Sequence, residues 1–159
     1  MNSQTRAELL MSYAQGPRML REAVEALPPE ALDFRPAPGA WSPRAILFHL
    51  AESELHGYLR ARTIIAQPGT TIVPYDQDRW AGTLDDAAQP LGEALDLFRL
   101  LREMLARQLR ALPEAAWEQT LVHPERGTLT LERLLELYVG HLDTHLKQIA
   151  RTLAAWRQR

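Results

Sequence analysis

Residues 41–66 read WSPRAILFHLAESELHGYLRARTIIA, and this stretch decides the architecture. Ser42 is a good N-cap. Pro43 fits the first helical position, where its missing N–H costs nothing. Gln67, Pro68 and Gly69 then stop the helix. Between these signals, Ile46, His49, Leu50, Ser53, Gly57, Arg60 and Ile64 fall along one stripe. Most of the stripe is apolar or small, so it faces an interior and carries His49 inward. A helix with one buried stripe needs partner helices to cover it.

The rest of the chain supplies them. A first helix runs from about Ser3 to Leu27 and ends before Pro28 and Pro29. Residues 30–40, EALDFRPAPGA, form a connection with a short turn. After the central helix comes a long connection, TTIVPYDQDRWAGT (residues 70–83), better read as a crossover or a loop with its own task than as a hairpin link. A third helix begins near Asp85 and is clear from Leu91 to Leu112. Its stripe of Leu95, Phe98, Leu101, Leu105 and Leu109 is buried, and Pro113 closes it. Residues 113–128, PEAAWEQTLVHPERGT, form another connection with a turn around Trp117. A fourth helix starts at Thr128 or Thr130 and runs to near Trp156. No segment shows a convincing strand pattern. Long helices of roughly 20 to 28 residues make an all-α four-helix bundle the expected fold, as one domain over residues 1–159.

Composition narrows the function. Apolar residues make up 46% and charged residues 24%, which fits a soluble globular chain. The net charge of −2 gives no electrostatic footprint for nucleic acid or anionic lipid. No apolar run reaches the length of a membrane span, and the polar, amphipathic N-terminal residues lack a signal-peptide core. A cytoplasmic location is expected. The chain has no cysteine, which excludes disulfides, thiolate metal sites and a cysteine nucleophile. Lys147 is the sole lysine, so a Schiff base has one candidate at most.

Any metal must therefore be held by His, Asp, Glu and water. His141 and His145 lie four apart in YVGHLDTHLKQI, on one helix face with Leu134, Tyr138, Gln148 and Thr152. If the helix carrying His49 packs against theirs, three imidazoles meet and leave an open coordination position, as a catalytic metal needs. The alternative is that each is a core histidine bonded to a neighbour. Glu52 is a candidate to orient a ligand or act as general base, or else a solvated helix residue. Ser53 faces the same interior and is a candidate catalytic residue that hydrogen-bonds metal-bound water, or else a small packing serine. His56 is at best a pocket residue, Asp143 a surface residue, and His123 before Pro124 a turn or contact residue. Nucleotide-binding loops, a nucleophile elbow and a His-Glu-x-x-His pair are absent.

Three stretches together resemble the DinB-like superfamily, and within it the YfiT-like group of metal-dependent hydrolases and thiol S-transferases. They are WSPRAILFHLAESELHGYLRAR (residues 41–62), VPYDQDRWA (residues 73–81) and HPERGTLTLERLLELYVGHLDTHLKQIAR (residues 123–151). The Trp-Ser-Pro start, a His in the second turn, the Tyr-Asp-x-Asp-x-Trp loop and the late His-x-x-x-His carry the likeness. The resemblance implies an up-down-down-up bundle, a homodimer, and a divalent metal (nickel, zinc or iron) on His49, His141 and His145. One departure is visible: the group commonly has Asp where this chain has Glu52.

The leading expectation is a metal-dependent enzyme on small molecules. It would transfer a low-molecular-weight thiol of the bacillithiol or mycothiol type to an electrophile through a metal-activated thiolate. Arg60, Arg62 and Arg79 are candidates to hold carboxylates of such a thiol, or else to pair with Asp76, Asp78 or Glu52. Tyr75 and Trp80 belong to a loop suited to covering the site, and with Arg60 they are the candidate substrate contacts. Two alternatives stand beside it. One is a hydrolase using metal-bound water, with Glu52 as base. The other is a non-catalytic, stress-linked metal-binding bundle. No nucleic-acid or membrane partner is expected.

Overall fold

The computed structural model describes residues 3–84 and 88–159. Its long helices are α1 (Ser3–Glu25), α2 (Pro43–Ala66), α4 (Leu91–Arg110) and α5 (Leu131–Arg157). A short α3 (Gln77–Thr83) lies in the central connection, and a hairpin of β1 (Thr120–His123) and β2 (Gly127–Thr130) precedes α5. The expected caps form. The Ser42 hydroxyl accepts from the Ala45 N–H at 3.3 Å, and the Thr130 hydroxyl accepts from the Arg133 N–H at 3.1 Å. Thr130, of the two starts considered, is thus the cap of α5. The expected start of the third helix near Asp85 lies outside the described residues.

The helices pack around a square in the order α1, α4, α2, α5, so α1 stands diagonal to α2, and α4 to α5. Side-chain bonds give the directions. Arg21 meets Asp96 while Arg102 meets the Tyr13 carbonyl, so α1 and α4 are antiparallel. Glu54 meets Arg102 and Arg62 meets Gln108, so α2 and α4 are parallel. His49 meets His141 and Arg60 meets Tyr138, so α2 and α5 are antiparallel. The bundle therefore runs up-down-down-up.

Two features correct the sequence reading. The chain does contain strands: β1 and β2 pair antiparallel, Thr120 opposite Thr130 and His123 opposite Gly127. Gly127 has φ of 71°, a conformation that suits the turn only without a Cβ. Segment 69–72 joins β1 on its free edge, where Ile72 N–H donates to the Val122 carbonyl and Val122 N–H to the Thr70 carbonyl, both at 3.0 Å. Strands of four residues are too short to show an alternating pattern, and this outer partner is some fifty residues away. The central connection also holds α3, whose N-cap is Asp76, accepting from the Arg79 N–H at 3.0 Å.

The core has two apolar clusters. One gathers Leu109, Trp117, Leu121, Leu131 and Leu135, the other Leu20, Leu47, Phe98, Leu142 and Ile149. Arg102 lies between them, 1% exposed, and binds all three other long helices. Its Nε donates to Glu54 at 2.8 Å, Nη2 to the Tyr138 carbonyl at 2.8 Å and Nη1 to the Tyr13 carbonyl at 3.3 Å. The Tyr13 phenol donates to the other Glu54 oxygen. Local sequence makes room for this insertion. Pro17 has no N–H, so it leaves the Tyr13 carbonyl one turn earlier without its helical donor. Arg102 supplies the replacement. Gly16 lets it approach, since a Cβ there would stand 2.1 Å from Nη1. Gly16→Ala should therefore cost about 1–3 kcal/mol through overpacking, against a slight gain on helix propensity alone. Urea unfolding checks this, and a neutral or stabilising result would refute the tight fit.

Candidate metal site and adjoining cavity

The bundle brings His49 on α2 to His141 and His145 on α5. Their donor atoms lie within 4.8 Å of one another, and the three rings form the sole such cluster among the described residues. His141 is central: its Nε2 is 3.0 Å from that of His49 and 3.1 Å from that of His145. A tetrahedral ion with metal–nitrogen bonds of about 2.0–2.1 Å separates its nitrogens by about 3.3–3.4 Å. Two of the spacings are close to that value, so the donor set fits a divalent metal.

Electrostatics agree. Burial first, then the charge of His145, pushes the His49 imidazole down to about 4. Burial and the two neighbouring histidines push His141 down to about 3, and burial lowers His145. All three are neutral at pH 7, the form that ligates. The His145 Nδ1–H donates to the Gln148 carbonyl oxygen at 2.9 Å, which leaves the Nε2 lone pair facing the cluster. Trp41 covers the cluster, edge-on to His49 at 4.8 Å and parallel to His145 at 6.2 Å.

A cavity of about 850 Å³ opens beside the cluster. His141 and Ser53 line it, with Arg60, Tyr138 and Tyr75 around it and the hairpin turn at its far side. Tyr75 stacks on His56 at 3.9 Å with ring planes 2° apart, and Trp80 packs against both at 5.0 and 5.4 Å. Burial pushes the Tyr75 phenol up, opposed by the Ser53 hydroxyl and Arg60, with Glu52 adding to the rise.

The sequence-predicted residues divide accordingly. His49, His141 and His145 come together, and Ser53, Arg60 and Tyr75 line the adjoining cavity. Glu52 stands outside both the cluster and the cavity lining, near enough to act on Tyr75. Trp80 backs the Tyr75–His56 stack without lining the cavity. Arg62 turns away, donating to Gln108 on α4 at 3.2 Å, so it does not serve this site. Neither Arg60 nor Arg62 takes the acidic partners considered for it. Asp143 is on the surface, paired with Lys147 at 2.6 Å. His123 closes the hairpin turn, its Nδ1 accepting from the Glu125 N–H at 3.2 Å. Sequence reasoning missed Trp41 and Gln148 as supports of the triad. The signal for Gln148 was its position one turn after His145.

The model of the DinB superfamily matches residues 12–149. The chain belongs to the DinB superfamily. Among its relatives is a protein of Oceanobacillus iheyensis, provisionally named a metal-dependent hydrolase. It is 33% identical over 84% of this chain and 77% of its own length. YfiT of Bacillus subtilis, with the same provisional name, is 30% identical over 84% of this chain and 75% of its own. The solved structure of YfiT, described as having an unusual four-helix bundle topology, superposes with a TM-score of 0.90. That match has 26% identity and covers 96% of this chain and 87% of the other. A second four-helix bundle protein, TT2238, matches in fold with a TM-score of 0.66 at 21% identity, over 91% of this chain and 98% of its own. Among the described residues no helix is long and apolar enough to cross a membrane.

Proposed function

We propose that this single-domain, cytoplasmic protein is a metal-dependent enzyme that transfers a low-molecular-weight thiol to a small electrophile. The observation that supports this most is the convergence of three neutral imidazoles beside a cavity that shares His141. A divalent metal such as nickel, zinc or iron, held by His49, His141 and His145, would supply Lewis acidity that lowers the pKa of a thiol or water at its open position. The sulfur must come from a cosubstrate, because the chain has no cysteine.

The protein's own groups do the rest. Trp41 shields the triad from one side. Ser53 offers a hydroxyl at the cavity wall to hold the reacting group. Arg60 and Tyr75 contact substrate, and Trp80 braces Tyr75 so that the loop keeps water out. Glu52 tunes Tyr75 from outside rather than touching the reacting atoms. In transfer to a chloronitroaromatic, the thiolate sulfur bonds to the ring carbon and chloride leaves with the bonding pair.

Hydrolysis is the second reading, favoured by the provisional names of the relatives. A homodimer is part of the proposal. The exposed Leu55 and Leu59 of α2 and Leu97, Leu100 and Met104 of the adjacent α4 offer an apolar face for it.

Elemental mass spectrometry of protein purified without an affinity tag tests the foundation. About one metal per chain is expected, lost in His145→Ala. Thiol-dependent turnover of a chloronitroaromatic then supports transfer, whereas thiol-independent ester cleavage supports hydrolysis. No metal in the wild type, and no uptake on adding zinc or nickel, would leave a bundle with structural histidines.

A further inference from the structure

The geometry points to a carboxylate-binding subsite in this cavity, formed by Arg60 and Tyr138, so that the small molecule taken there carries a carboxylate. This names the substrate class of the site just proposed and rests on that reading only for what happens at the metal.

Arg60 makes no ion pair among the described residues. Its Nη1 donates to the Tyr138 phenol oxygen at 3.1 Å, and its guanidinium has no further partner among the described residues. Every other described arginine that binds a side chain across the bundle reaches a carboxylate or an amide: Arg6 holds Glu114 and Glu132, Arg102 holds Glu54, and Arg62 holds Gln108. A half-buried arginine that bonds a phenol instead keeps most of its donor fork available. Burial lowers His56 and His123, and the Arg60 charge adds to both shifts and opposes the burial-driven rise of Tyr75.

Tyr138 supplies a second donor. It is 7% exposed, and its oxygen accepts from Arg60, which leaves its own proton without an acceptor among the described residues. Gly57 admits the ring, since a Cβ there would lie 2.4 Å from it, so the phenol is held in place. A guanidinium N–H and a phenol O–H side by side match the two oxygens of a carboxylate.

None of the three acidic residues on the cavity wall pairs with Arg60. Asp76 is engaged as the cap of α3, and Glu136 is held by Arg133 at 2.5 Å. Glu125 sits on the hairpin turn beside Arg126, so Arg60, Arg126 and Arg133 stand on the lining with Asp76, Glu125 and Glu136. One turn of α5 separates Tyr138 from His141, so a ligand at the subsite lies next to the triad.

Two titrations test this. Zinc-loaded protein is titrated by calorimetry with 3-mercaptopropionate and its neutral amide. Metal-free protein is titrated with benzoate and benzamide, followed by tryptophan fluorescence. In both, the anion should bind about tenfold tighter or more, as expected for charge-assisted bonds. Arg60→Gln should erase the preference and Tyr138→Phe should reduce it. Arg62→Gln, on the α4 side, should leave it intact. Melting curves confirm that each variant is folded. Equal or undetectable binding of anion and amide in both titrations overturns the subsite, as does a preference that survives Arg60→Gln. If benzoate shows the Arg60-dependent preference while neither thiol engages zinc, the subsite stands and the thiol-transfer reading falls. A preference seen with both acids places the carboxylate on either reactant, whereas one confined to the mercapto acid assigns it to the thiol.

Discussion

Replacing Arg102 with methionine should lower the unfolding free energy by about 3–5 kcal/mol. The size follows from what is left behind. Glu54 is 2% exposed and would lose its paired cation, so a buried carboxylate held by the Tyr13 phenol alone would remain between two apolar clusters. The Tyr13 carbonyl, already without its helical donor because of Pro17, would lose its substitute. Methionine keeps much of the volume and still packs on the Tyr13 and Phe98 rings, over which the guanidinium now sits at 4.4 and 4.6 Å. The loss therefore reports charge and hydrogen bonding more than a cavity. Combining Arg102→Met with Glu54→Leu should recover a large part of it, because a buried pair removed together leaves no orphaned charge. Denaturant unfolding of the two single variants and the double completes the cycle. A single-variant cost below about 1 kcal/mol, in the range of surface pairs, would mean that water reaches Glu54 and that the network is not the clasp of the bundle.

The second large effect concerns metal. Adding zinc or nickel at about a hundred times its dissociation constant should raise the stability of the wild type by about 2.7 kcal/mol, because the ion binds the folded bundle alone. His141→Ala should abolish that gain. Its Nε2 is the one within about 3 Å of both other donors, so without it the remaining pair lies on different helices with no ring between. Melting curves with and without metal, read together with elemental analysis, check this. Full metal content in His141→Ala would show that the ion binds elsewhere.

The helices were legible because caps and stripes are local. Ser42 and Pro43, Pro28 and Pro29, and the leucines of α4 announce themselves within a few residues. The histidine spacing was legible for the same reason, but whether α2 and α5 meet depends on the diagonal packing, which no local pattern carries. The hairpin was hidden because its pairing partner at residues 69–72 is remote. Glu54 and Arg102 were hidden by their type, since charged residues on helices are usually solvated. A signal existed: Phe98, Arg102, Leu105 and Leu109 share one heptad-like stripe, so the arginine falls where an apolar residue belongs. Arg60 lay on the inward stripe of α2, but its freedom from acidic partners is a property of the assembled cavity.

The diagonal placement of consecutive helices also bears on how the chain folds. A bundle of ordinary hairpins can begin from any pair of neighbours, since each closes a short loop. Here the main packed faces of α1 lie on α4 and α5, and those of α2 likewise. A nascent chain that has reached Ala66 holds two helices that meet only across the diagonal, as at Tyr13 and Glu54, and their main packing faces wait for α4 and α5. Much of the loop-closure entropy must be spent before the large interfaces repay it, so folding should be slower than in hairpin bundles of equal length.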